Sequence, residues 1–171
     1  MSCRASEHPH DDQREANSIR VLIVGYGNPL RGDDAVGWKA AERLEQLLKL
    51  PGVEIQTGHQ LLPELADPLS RAELAILIDA SCDGPAGQVS CRPVVPAGSG
   101  QPGMTHGFEP PDLLACARSV FGRCAKTMLF TISAQSFEHG AELTEPARRA
   151  LDEVVQSVCD LVEGWLSATC S

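Results

Sequence analysis

Basic residues are scarce in this chain. Lysine and arginine number 14 against 23 aspartates and glutamates, a formal net charge of −9. Such a surface repels phosphate backbones and anionic bilayers, which argues against nucleic acid and membrane as partners. Long apolar runs are also missing. No stretch nears the roughly 18 consecutive apolar residues that cross a bilayer. Residues 1–19 lack the apolar centre of a secretory signal. They read as a disordered tail, with His8, His10 and Asp11 solvated rather than ligating. The expected location is the cytoplasm. Aromatics make up only 4% of the chain, so a core has to rest on Leu, Val, Ile and Ala. With 171 residues, no internal repeat and no second zone of composition, a single domain over residues 20–168 is expected.

Cysteine pairs are lacking in a different sense. Seven cysteines are present, an odd number, and none are spaced C-x-x-C. That excludes a zinc knuckle and a disulfide framework, and leaves reduced thiols. Nucleotide and protease signatures are absent as well. Gly25-Tyr26-Gly27-Asn28-Pro29-Leu30 has no third glycine of G-x-G-x-x-G, no G-K-[ST] follows, and Asp33 and Asp34 would repel a pyrophosphate. There is no H-E-x-x-H and no G-x-S-x-G.

What is present is a series of short apolar runs alternating with stretches of helical spacing. Ile19 to Gly25, Val53 to Thr57, Leu74 to Ala80 and Thr127 to Ser133 are short apolar or β-branched runs that predict buried strands. Gln88 to Val95 reads as a fifth strand, and Pro93 places it at an edge. Val36, Ala40, Leu44 and Leu47 recur at helical spacing, in a helix starting near Asp33 or Asp34 and ending before Pro51-Gly52. Leu61 to Leu69, with two prolines, allows only a short broken helix. Pro96 to Met104 reads as a loop. Pro110 to Phe121 predicts a helix with proline in its first turn. Thr144 reads as the N-cap of a closing helix, whose Ala147, Ala150, Leu151, Val154, Val158, Leu161 and Trp165 share one face. Strands alternating with helices predict an α/β sandwich around a mainly parallel sheet.

Ligands of such sheets gather at the carboxyl ends of strands. Acids stand there in the segment Gly25–Gly37, with Asp33 and Asp34, and at Asp79 closing its strand. His106 follows the Gly/Pro loop. Two carboxylates and an imidazole can bracket nickel or zinc and leave room for water and substrate, or can perform acid–base work. Each has a plainer reading. Asp33 or Asp34 can cap the first helix, Asp79 can bond loop amides, and His106 can be an ordinary loop histidine. His59 and His139 read as structural or solvent-exposed.

These residues resemble the nickel–iron hydrogenase maturation proteases, the C-terminal endopeptidases of peptidase family M52. Their leading pattern, G-x-G-N-x-L-x-x-D-[DE]-x-x-G after a strand, is matched by Gly25, Gly27, Asn28, Leu30, Asp33, Asp34 and Gly37. An apolar strand ending in Asp-Ala is matched by Ile76-Leu77-Ile78-Asp79-Ala80, and a histidine ahead of a helix by Thr105-His106-Gly107. The resemblance runs from about Arg20 to about Gly164 and implies a three-layer α/β/α sandwich with a twisted five-stranded sheet. It implies Asp34, Asp79 and His106 as nickel ligands and catalytic residues. It implies further that the metal arrives with the substrate, that zinc or cadmium can stand in for it in vitro, and that no organic cofactor is involved. The implied partner is the nickel-loaded large-subunit precursor, whose C-terminal extension is removed, and the enzyme is expected to be a monomer. Gly25, Gly27 and Gly32 are expected to let the backbone approach the substrate chain. Two other readings stay open: a metal-independent peptidase in which Asp34 and Asp79 share a proton, and a nickel-binding chaperone that cuts nothing.

Overall fold

The computed structural model describes residues 19–98 and 108–169. Five strands, β1 (Val21–Tyr26), β2 (Val53–Gly58), β3 (Leu74–Ser81), β4 (Val89–Val94) and β5 (Lys126–Ser133), form one sheet in the order β2-β1-β3-β5-β4. The first four strands in that order pair parallel. β4 runs antiparallel to β5 at the edge, as Pro93 predicts, since its ring nitrogen has no hydrogen to donate to a second neighbour.

Four helices cover the sheet: α1 (Val36–Leu47), α2 (Ala66–Arg71), α3 (Pro110–Phe121) and α4 (Glu145–Ala168). Alternation along the strands divides the core in two. Val21, Ile23, Ile76, Ile78 and Ile132 pack against Val36, Ala40 and Leu44 of α1 and Ala150, Leu151, Val154 and Val158 of α4. Leu22, Val24, Leu77 and Leu129 point the other way, against Leu69 of α2 and Leu113, Leu114 and Ala117 of α3. This is the three-layer sandwich. Each fully buried Leu, Ile or Val contributes roughly 1.5–3 kcal/mol by leaving water, so aliphatic residues suffice where aromatics are few. Ile19, the last residue of the expected tail, is buried in the second cluster. The remainder of that tail lies outside the described residues.

Two helix starts differ in kind. Thr144 is the N-cap of α4, its hydroxyl accepting from the Ala147 amide, as its position predicts. The first helix does not begin on an aspartate cap. Gly32–Ala35 form a 3-10 turn, entered at Arg31 with no side-chain cap, and α1 starts only at Val36. The Leu61 to Leu69 segment is broken as its prolines require, into a 3-10 turn (Pro63–Leu65) and α2. Among the described residues no helix is long and apolar enough to cross a membrane.

Candidate active site

The loop after β1 is folded around its own backbone. Gly27 has φ +132°, and a Cβ there would lie 2.0 Å from the carbonyl oxygen of Asp34. A Cβ on Gly37 would come within 2.4 Å of the carbonyl oxygens of both Tyr26 and Ile78. Only glycine permits such approaches. What these glycines admit is the chain's own strand–helix contact, which brings Asp34 to the carboxyl end of β1. The Asn28 amide donates to Asp34 Oδ2 at 3.2 Å, and Asp34 stays half-buried.

Asp33, next in sequence, does other work. It is wholly buried. Its Oδ2 accepts the amides of Gln135 (2.8 Å) and Ser136 (3.2 Å) and the Thr144 hydroxyl (2.9 Å), while Oδ1 accepts the Thr144 amide (2.7 Å). Burial works against its charge, yet these donors outweigh it and hold the carboxyl below its ordinary range. The plainer, structural reading therefore fits Asp33, though it ties distant segments instead of capping its own helix.

Asp79 stands two residues before the end of β3, on the face that carries Ala75 and Leu77, the α2/α3 side. Its Oδ1 accepts the Ala80 amide at 2.8 Å. Tyr26, at the end of the neighbouring strand and 8% exposed, donates its hydroxyl to the Asp79 carboxylate. Burial pushes the Asp79 carboxyl up to about 7, the bonds from Tyr26 and Ala80 pull it back, and the charges of Asp34 and Glu109 add to the rise. Burial, the Asp79 charge and their shared hydrogen bond hold the Tyr26 phenol well above its ordinary range. Glu109 adds to that effect and Arg92 offsets it.

The structure thus brings Asp34 and Asp79 to one rim of the sheet, near enough for one charge to disturb the other. His106 lies outside the described residues. Among the described residues, no three His, Cys, Asp or Glu side chains form a set able to hold a metal ion. His59 is exposed and packs its ring on Trp38, centroids 5.3 Å apart. Sequence reasoning missed two residues, Tyr26 and Glu109. Tyr26 could have been found from register, because Gly25 pairs with Ile78 and the next residues along are Tyr26 and Asp79. Glu109 could have been found as the residue preceding Pro110 at the start of α3, where an N-cap would stand; its side chain makes no cap bond.

Chemically, a half-buried carboxyl that titrates near neutrality beside a second carboxylate can take a proton from water and return it to a leaving amine.

No protein-family model and no curated protein sequence matches this chain. Solved structures do. The [NiFe] hydrogenase maturation protease HycI from Thermococcus kodakarensis superposes with a TM-score of 0.67 at 24% identity, over 90% of this chain and 99% of that one. The hydrogenase maturating endopeptidase HybD from E. coli gives 0.69 at 26% identity, over 85% and 93%. A hydrogenase 2 maturation peptidase from a Thaumarchaeota archaeon gives 0.61 at 23%, over 84% and 98%. The fold is that of a hydrogenase maturation protease, a hydrolase of peptide bonds.

Proposed function

We propose that this chain is the endopeptidase that removes the C-terminal extension of a nickel–iron hydrogenase large-subunit precursor, and that it recognises nickel already seated in that precursor. The observation that carries the reading is the meeting of Asp34 and Asp79 at the carboxyl ends of β1 and β3, within this fold. Carboxylate oxygens suit a divalent ion such as nickel. His106, the third ligand by the sequence resemblance, stands three residues before Glu109 in the chain, and Glu109 is close enough to raise the Asp79 carboxyl.

The nickel belongs to the substrate. Docked between these side chains it would polarise the scissile carbonyl. Water then adds to the carbonyl carbon while a carboxylate, Asp79 or Asp34, takes its proton. When the C–N bond breaks, that proton passes to the departing amine. Precursor without nickel would lack the ion that seats it and would escape cleavage.

Purified chain mixed with nickel-loaded and nickel-free precursor tests the proposal, with mass spectrometry of the large subunit as readout. Loss of a C-terminal peptide is expected only with nickel, and Asp34→Ala, Asp79→Ala and His106→Ala should each abolish it with circular dichroism unchanged. Full activity in these variants refutes the site. A second reading, a metal-independent pair of carboxyls sharing a proton, has one observation in its favour: the Asp34 charge helps keep a proton on Asp79. Equal cleavage of nickel-free precursor would establish it. Precursor left whole in both mixtures would instead favour a nickel-handling chaperone.

A further inference from the structure

Positive charge, scarce overall, is concentrated beside the Asp34 loop. A cavity of about 480 Å³ opens there, with Pro29 of that loop on one side and Leu143, ahead of α4, on the other. Lys39 and Arg43 of α1 and Arg148 of α4 line it, against a single acid, Glu142, whose side chain is 94% exposed. Arg43 pairs with Asp152. Arg148 leans on Glu145 at 3.4 Å and on Glu142 at 3.8 Å, and donates to the Leu143 carbonyl at 3.0 Å. Lys39 is exposed and has no ion-pair partner among the described residues. The Gly140 amide donates to the Leu30 carbonyl at 2.8 Å, so the two walls are stitched at the rim. Leu30, 59% exposed there, offers an apolar rest to a passing chain.

We propose that this cavity is a subsite for an acidic stretch of the substrate polypeptide, held by Lys39, Arg43 and Arg148 next to the loop that carries Asp34. The inference rests on the peptidase reading, which requires a substrate chain to run across this rim. A net charge of −9 repels acidic partners and nucleic acid at long range. Within a Debye length of about 10 Å, however, nearby charges set the sign. The lining carries three cations to one acid, and Lys39 is the cation that no ion pair among the described residues offsets. Apolar walls beside ammonium and guanidinium groups suit peptide carboxylates with aliphatic stems.

The test uses fluorescence anisotropy of the full chain with labelled hexaglutamate and a labelled Gly/Ser hexapeptide. Hexaglutamate should bind at least tenfold tighter, and the preference should fade at 0.5 M salt. Lys39→Glu, an exposed change that spares the fold, should weaken hexaglutamate at least tenfold. With nickel-loaded precursor the same variant should raise KM several-fold. Binding is read without cleavage, so the two proposals can fail separately. Cleavage with no preference for the acidic peptide, or with hexaglutamate affinity unmoved by Lys39→Glu, overturns the subsite and leaves the peptidase standing. A peptide preference in a chain that cleaves no precursor overturns the peptidase alone.

Discussion

Asp33 and Thr144 are joined twice across 111 positions: the Thr144 amide reaches Oδ1 at 2.7 Å and its hydroxyl reaches Oδ2 at 2.9 Å. The residue that caps α4 is thereby fastened to the turn that presents Asp34. The amides of Gln135 and Ser136 complete the set.

Replacing Asp33 should therefore cost stability before it costs chemistry. Asp33→Ala leaves three part-buried amides without their acceptor and should destabilise the fold by about 2–4 kcal/mol in urea unfolding. The sign with pH follows from a carboxyl held below its ordinary range. Its contribution is complete above the unfolded value near 3.8 and is lost as pH falls through the lower folded value. The Ala variant should show a flatter acid limb than the parent.

Asp79 should act in the opposite sense. Its folded carboxyl keeps a proton up to about 7, whereas the unfolded chain releases it near 3.8. Stability should decline as pH rises between those values and level off above the upper one. Asp79→Asn should remove that decline and gain about 1–3 kcal/mol above pH 7 after allowance for partial solvent access, while abolishing cleavage. Denaturant midpoints from pH 4 to 8 check it.

The titration of Asp79 should feel the Asp34 charge. Asp34→Asn removes a charge that raises Asp79, so the carboxyl ¹³C titration of Asp79 should move to lower pH. An unmoved midpoint would mean that the two acids do not share a site.

Tyr26→Phe keeps the ring and deletes the hydroxyl that favours ionised Asp79. The Asp79 carboxyl should climb further, and the acid limb of the pH–rate profile should shift upward with it. A fall in kcat of about tenfold is expected for a lost proton-positioning bond.

Gly37→Ala should be among the most damaging single changes away from the acids. The added methyl would meet two carbonyl oxygens at 2.4 Å, forcing α1 off β1 and β3. A loss of more than about 2 kcal/mol is expected, with activity falling alongside.

The layers were legible in the sequence because their signals are local. The apolar strand runs, the helical stripe of α4 and the Thr144 cap each occupy one contiguous stretch. Asp79 was legible for the same reason, as the polar end of an apolar run. The role of Asp33 was not, because its partners lie more than 100 residues away. Local spacing alone does not separate it from Asp34, which the family pattern singles out. Tyr26 looked like one more strand residue until β1 and β3 were in register, and Glu109 looked like a helix preface until α3 was docked.

The divided core has a consequence for how this site fails. Asp79 and Tyr26 rest on the layer built with α2 and α3, whereas the turn bearing Asp34 is lashed through Asp33 to the start of α4 on the opposite layer. Fraying of either half separates the acids while each remains chemically intact. A partly opened molecule would be a harmless one, with cutting power confined to copies assembled on both sides of the sheet.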